Sequence, residues 1–224
     1  GTAEVLSGTL RTAVANVFPS LSSIRVAAGS VFEFGGNATS SAPVSGDGTL
    51  RFSGLGKMAY DGSGSAFAGT YQLYAANVDM DIGAASRASL DVAGGGAFSF
   101  ADNAAVGSVS GTALLGGIRV AADKTLTVND GADASYAGRL DGEGTLAKNG
   151  PGTLTMTGSS DLREIDVNAG TLALDRSFPF AVKGLVGYWR FEDGDNIGKD
   201  MLGGHDLSTV VGSSSSPMPT QVAD

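Results

Sequence analysis

Ile24-Arg25-Val26-Ala27-Ala28-Gly29-Ser30-Val31-Phe32-Glu33-Phe34 is two short alternating runs joined by a tight corner. The pattern returns as Leu90-Asp91-Val92-Ala93-Gly94-Gly95-Gly96-Ala97-Phe98-Ser99-Phe100 and as Ile118-Arg119-Val120-Ala121-Ala122-Asp123-Lys124-Thr125-Leu126-Thr127-Val128. A last copy reads Ile165-Asp166-Val167-Asn168-Ala169-Gly170-Thr171-Leu172-Ala173-Leu174. Apolar residues at period two bury one face of each strand and leave the other wet. The corner residues are Ala, Gly, Asn and Asp, which accept the bent or left-handed backbone a corner needs. The copies start at 24, 90, 118 and 165, so the gaps are 66, 28 and 47 residues. These are roughly three, one and two multiples of ~22, inside the range expected of solenoids.

A ~22-residue coil of two or three short strands is one rung of a parallel β-helix, unable to bury its inward face alone. Stacking rungs at ~4.8 Å pairs each strand with the copies above and below and closes one core. About 180 residues make ~8 rungs. The shorter unit Gly-Thr-Leu at 8–10, 48–50, 144–146, 152–154 and 170–172, with Gly69-Thr70-Tyr71, follows the same logic. No stretch sustains a 3.6-residue period, so almost no helix is expected. An antiparallel sandwich also alternates, but it does not require one inward pattern to recur at rung spacing.

Composition narrows the chemistry. The 224 residues include 35 glycines, no cysteine, one histidine (His205) and one tryptophan (Trp189). Disulfides and cysteine–zinc sites are thereby excluded, and any triad or histidine metal centre would run through His205. The balance of 14 basic against 23 acidic residues, net −9, speaks against a nucleic-acid partner, whose phosphates need clustered Lys and Arg. The apolar runs fall short of the ~18 residues a membrane span requires. The opening Gly1-Thr2-Ala3-Glu4 lacks the charged and apolar regions of a signal peptide, so one is expected to have been removed.

From Arg139 to Leu174 the chain resembles the autotransporter-associated β-strand repeat of bacterial passenger domains. The match is carried by Gly142-Glu143-Gly144-Thr145-Leu146-Ala147-Lys148-Asn149-Gly150-Pro151-Gly152-Thr153-Leu154 and the closing Ala169-Gly170-Thr171-Leu172. Both Gly-Thr-Leu units, the lysine between them and the closing unit fall in order. The link Ser159-Ser160-Asp161-Leu162-Arg163-Glu164 departs from the Thr/Gly-rich family pattern. The resemblance implies a secreted, right-handed β-helix. The expected fold is thus all-β, a right-handed single-stranded parallel β-helix (solenoid) over 1–180.

A second resemblance begins at Gly184. Gly187-Tyr188-Trp189-Arg190-Phe191-Glu192-Asp193-Gly194, then Lys199-Asp200-Met201-Leu202-Gly203-Gly204-His205-Asp206-Leu207, looks like the opening of a laminin-G/concanavalin-like jelly roll. Only about 40 residues are present, and such a sandwich needs many more. Over 181–224 we therefore expect an incomplete lectin-like unit or a strand recruited as a cap on the solenoid.

The candidate chemistry is thin. If Val78, Met80 and Ile82 point inward, Asp79 and Asp81 project outward together, about 6.6 Å apart, near the spacing of an inverting glycosidase pair. Arg87 is their one visible basic neighbour, and a solvated strand face explains them more simply. The acidic turn from Glu192 to Asp200 misses the EF-hand template, with Ile197 at a ligand position and Gly204 in place of the closing Glu. His205 has no second ligand residue. Tyr188 and Trp189 face opposite sides of a strand, so one of them at most is free to stack on a sugar. Gly94-Gly95-Gly96 lacks the Lys-Ser/Thr of a phosphate loop and reads as a corner. We expect no catalytic residue, no cofactor and no metal. The reading is a structural or adhesive spacer of a bacterial secreted or surface protein, meeting glycans or surface proteins, with no membrane span in this chain. A carbohydrate-binding module, or a polysaccharide lyase or hydrolase built on Asp79 and Asp81, are the rival classes.

Overall fold

The computed structural model describes residues 1–12, 21–36, 39–62 and 66–174. Among them there are short parallel strands and no helix. The chain coils through about eight turns, and each turn lays strands on up to three faces.

The first face carries Thr2–Val5, Ser23–Val26, Val44–Gly46 and Ala66–Phe67, and, by turn order, resumes with Ala104–Val106, Thr125–Val128, Thr145–Lys148 and Glu164–Val167. The second runs from Thr9–Thr12 through Val31–Phe34, Thr49–Phe52, Thr70–Leu73 and Ser89–Val92 to Ser108–Ser110, then Ala134–Tyr136, Thr153–Met156 and Thr171–Leu174. The third is one seven-stranded sheet from Thr39–Ser40 to Ser160–Asp161, with Lys57–Asp61, Asn77–Asp81, Gly96–Phe100, Gly116–Val120 and Arg139–Asp141 between.

The inward alternation predicted from sequence is what fills the core. Ile24, Val26, Leu90, Val92, Ile118, Val120, Leu126 and Val128 are fully buried. Aromatic rings pack along the first half: Phe34 stacks on Phe52 at 5.7 Å, Phe52 meets Phe98 at 6.0 Å, and Tyr60 meets Tyr71 at 5.6 Å. Toward the C-terminal turns the core is mostly aliphatic, with Leu140, Leu146, Leu154 and Met156 buried beside Tyr136.

Two expectations need correction. The turn is not a steady ~22 residues: Thr9 pairs with Val31, 22 residues on, but Val31 pairs with Thr49, only 18 on. Nor do the four motif copies share one rung position. Ile24 lies on the first face, Leu90 on the second, Ile118 on the third and Ile165 on the first again. The motif is a strand–corner–strand unit, and all three faces use it because every corner poses the same steric problem. In three copies the third corner residue has a left-handed backbone: Gly29 at φ 75°, Asp123 at 58° and Gly170 at 70°. A second corner device sits one turn above the motif's closing valine. A Cβ on Gly46 would strike the Val26 carbonyl, and one on Gly142 the Val120 carbonyl, so the backbones approach more closely than any side chain allows.

Candidate functional site

Polar chemistry lies in four places: two outer faces, one buried pair and one groove. On the second face the outward residues Arg11, Glu33, Arg51, Gln72 and Asp91 stand in register on successive turns. They form one continuous ladder. Arg11 Nε is 3.1 Å from Glu33 Oε1 and Arg51 Nη1 is 3.5 Å from Glu33 Oε2. Arg51 Nε donates to Gln72 Oε1 at 2.6 Å, and Gln72 Nε2 donates to Asp91 Oδ2 at 2.8 Å. The Ser53 hydroxyl donates to Glu33 at 2.6 Å, so the Glu33 carboxylate is held from three sides.

On the third face, Val78, Met80 and Ile82 are buried, as the alternation requires, and Asp79 and Asp81 turn outward. The basic partner of Asp79 is Lys57, one turn below, at 2.8 Å, not Arg87. The Asp81 carboxylate accepts from its own corner, the Gly83 N–H at 3.3 Å. Further along, Asp141 lies 2.8 Å from Arg119 and 3.2 Å from Arg139. Partial burial works against its charge, but the Arg119 hydrogen bond, the two nearby guanidiniums and the Gly142 N–H outweigh it. The carboxyl is held below its usual range.

The buried pair went unassigned in the sequence. Leu146 points inward, so alternation sends Lys148 inward too, and both Lys148 and Asp130 are 0% exposed. Lys148 Nζ lies 2.9 Å from Asp130 Oδ1 and donates to the carbonyls of Gly150 at 2.6 Å and Ala169 at 3.2 Å. Two carbonyls thus accept two of the three ammonium protons, and the Asp130 carboxylate supplies the opposite charge as an ion-pair partner. The Asp130 carboxylate has no other polar contact among the described residues. Gly150 and Gly170 close the cage, since a Cβ on Gly170 would meet the ammonium and one on Gly150 the Asp130 backbone.

The groove opens where strand pairing lapses on two faces, along Ala84–Arg87, Gly107–Ser110 and Gly131–Ser135. Among the described residues, no group of three or more His, Asp or Glu is placed to hold a metal. Tyr188, Trp189, His205 and the acidic turn from Glu192 to Asp200 lie outside the described residues.

No family model matches the chain, and no solved structure matches it. Over an alignment of 143 residues, taking in 55% of this chain, it is 32% identical to the adhesin BmaC autotransporter of Brucella suis biovar 1 (strain 1330). The chain spans 4% of that protein's length. The chain is thus similar to part of an autotransporter adhesin and folds as a parallel β-solenoid. The jelly-roll resemblance rests on its own residues alone.

Proposed function

We propose that this chain is a non-enzymatic β-helical segment of a bacterial secreted or surface protein, acting as a stiff spacer with an adhesive role. The observation that carries the reading is the unbroken inward core through about eight turns, clad outside by cross-turn ion pairs. Such a stack couples each turn to its neighbours and resists local opening, which suits a rod that holds binding elements away from a cell. The similarity to an autotransporter adhesin supports the same reading. By its resemblance to a jelly-roll opening, the segment 181–224 reads as an incomplete lectin-like unit or as a cap on the solenoid.

The test pairs proteolysis with a search for activity. The full chain is digested with a broad-specificity protease under native conditions, and the cut sites are mapped by mass spectrometry. The spacer reading expects no cuts within the stacked strands of 21–174; early cuts spread through them would sink it. The same preparation, beside an Asp79→Ala/Asp81→Ala variant, is assayed for reducing ends released from mucin and plant polysaccharides. Silence from both is expected, whereas cleavage lost in the variant would make the chain a hydrolase or lyase.

A further inference from the structure

Strand pairing lapses twice in the middle of the solenoid. On the first face, Ala84-Ala85-Ser86-Arg87 occupies the turn between Ala66–Phe67 and Ala104–Val106 without forming a strand. On the second, Ser108–Ser110 and Ala134–Tyr136 meet only through the bridge Gly111–Tyr136. Where the lapses adjoin, two cavities of about 450 and 610 Å³ share Arg87 and Gly107 on their walls. The larger spans three successive turns, a length of about 10 Å at the ~4.8 Å stacking distance.

The groove's polar groups are its distinguishing feature. Of the ten Lys and Arg among the described residues, eight are ion-paired, and Arg25 and Arg87 are not. Arg87 lines both cavities, and its guanidinium makes no hydrogen bond among the described residues. The Asn129 amide and Ser135 hydroxyl are likewise unengaged there. Ser108 donates to Ser89 at 2.9 Å, and Asp133 Oδ1 accepts the Thr153 N–H at 2.8 Å with its second oxygen left over. Ser86, which accepts the Ala88 N–H, and Ser110, which donates to the Leu90 carbonyl, also line the walls; the rest is alanine and glycine, with no aromatic ring.

A guanidinium fork beside hydroxyls, an amide and one carboxylate oxygen fits a ligand with a single carboxylate and several hydroxyls. An apolar ligand would strip these groups of water without replacing it. A polyanion would meet one arginine, the Asp133 carboxylate and a chain of net charge −9. We infer that the groove is a binding site for a carboxylate-bearing saccharide, whose carboxylate pairs with Arg87 and whose hydroxyls bond to Ser89, Ser108, Asn129, Asp133 and Ser135. This goes beyond the spacer reading and stands or falls apart from it, because Arg87 is exposed and belongs to no cross-turn ion pair.

Titration of the ¹⁵N-labelled full chain with methyl α-galacturonate and with 3′-sialyllactose, each carrying one carboxylate, followed by amide shifts, tests the inference and separates the two sources of the carboxylate. The carboxyl-reduced sugars and acetate serve as controls. One of the two acidic sugars is expected to move amides of 84–89, 105–110 and 129–135. Arg87→Ala should weaken that binding by about 10- to 100-fold, the scale of a charge-assisted hydrogen bond. Arg25→Ala should leave it unchanged, and circular dichroism confirms that each variant folds. Failure of both acidic sugars at their solubility limit would overturn the site. Equal binding by Arg87→Ala or by the carboxyl-reduced sugar would overturn the role of the arginine, and equal binding by acetate would reduce the site to one for a bare anion.

Discussion

A lysine ammonium and an aspartate sealed from water are stable only as a pair. Lys148 replaces an apolar inward residue of its column, standing between Val128 and Val167 in register. Removing one partner leaves an uncompensated buried charge, a loss of about 3–5 kcal/mol. Lys148→Met is therefore expected to lower the urea midpoint sharply, and Lys148→Met/Asp130→Leu to recover most of it; a single variant as stable as the parent would refute this. Gly142 is constrained differently. Its φ of 110° and the Val120 carbonyl beneath it leave no room for a side chain. Gly142→Val should lose roughly 1–3 kcal/mol or more in the same denaturation experiment. Gly95, whose Cβ would meet nothing and whose φ is ordinary, should tolerate alanine. Tyr71 and Tyr136 have their phenols held protonated well above the usual range, chiefly by burial and for Tyr71 also by Tyr60. Their contribution is complete below the ordinary tyrosine pKa and is lost as pH rises past it. Absorbance titration should show both silent until the chain unfolds in alkali.

Among the elements, the outer faces of the sheets do electrostatic work. The ladder on the second face runs through five turns, and its value lies unevenly along its length. Arg11 is 60% exposed and adds little, as exposed ion pairs do. Glu33 is nearly buried and holds two arginines and a serine. Glu33→Ala should thus destabilise more than Arg11→Ala, by a margin of about 1–3 kcal/mol in urea. Equal effects would mean the ladder is ornamental. On the third face, the depressed pKa of Asp141 makes a pH prediction with a definite sign. Its contribution is present above the ordinary aspartate pKa and fades as pH falls through the lower folded value. The stability gap between the parent chain and Asp141→Asn should be constant at neutral pH and close in strong acid. The ladders were partly legible in the sequence, since alternation marks Arg25, Glu33, Asp91 and Arg119 as outward. Which carboxylate meets which cation was not, because it depends on register between turns of unequal length.

The described turns form a one-dimensional stack, so a whole turn should be removable while half a turn is not. Deleting residues 77–96 brings Ala97 over Lys57 and Phe98 over Met58, restoring an existing register. That variant should keep its β circular dichroism and unfold in one transition, with an m-value smaller by about one-eighth. Deleting 77–86 removes a third-face strand without its turn and should abolish cooperative unfolding. If the two variants behave alike, the turn is not the folding unit. Period-two alternation and corner residues such as Ala27-Ala28-Gly29 determined by themselves that the chain forms short strands, that it coils, and which side chains turn inward. Those properties are local, set by backbone geometry over a few residues. Only the tertiary structure decided that the four motif copies fall on different faces, that Lys57 rather than Arg87 partners Asp79, that Lys148 finds Asp130, and that two lapses in pairing open a groove beside Arg87. Each of these depends on how 18 to 22 residues of corner and strand add up around a turn. A difference of one or two residues in that sum moves every later side chain to a new neighbour.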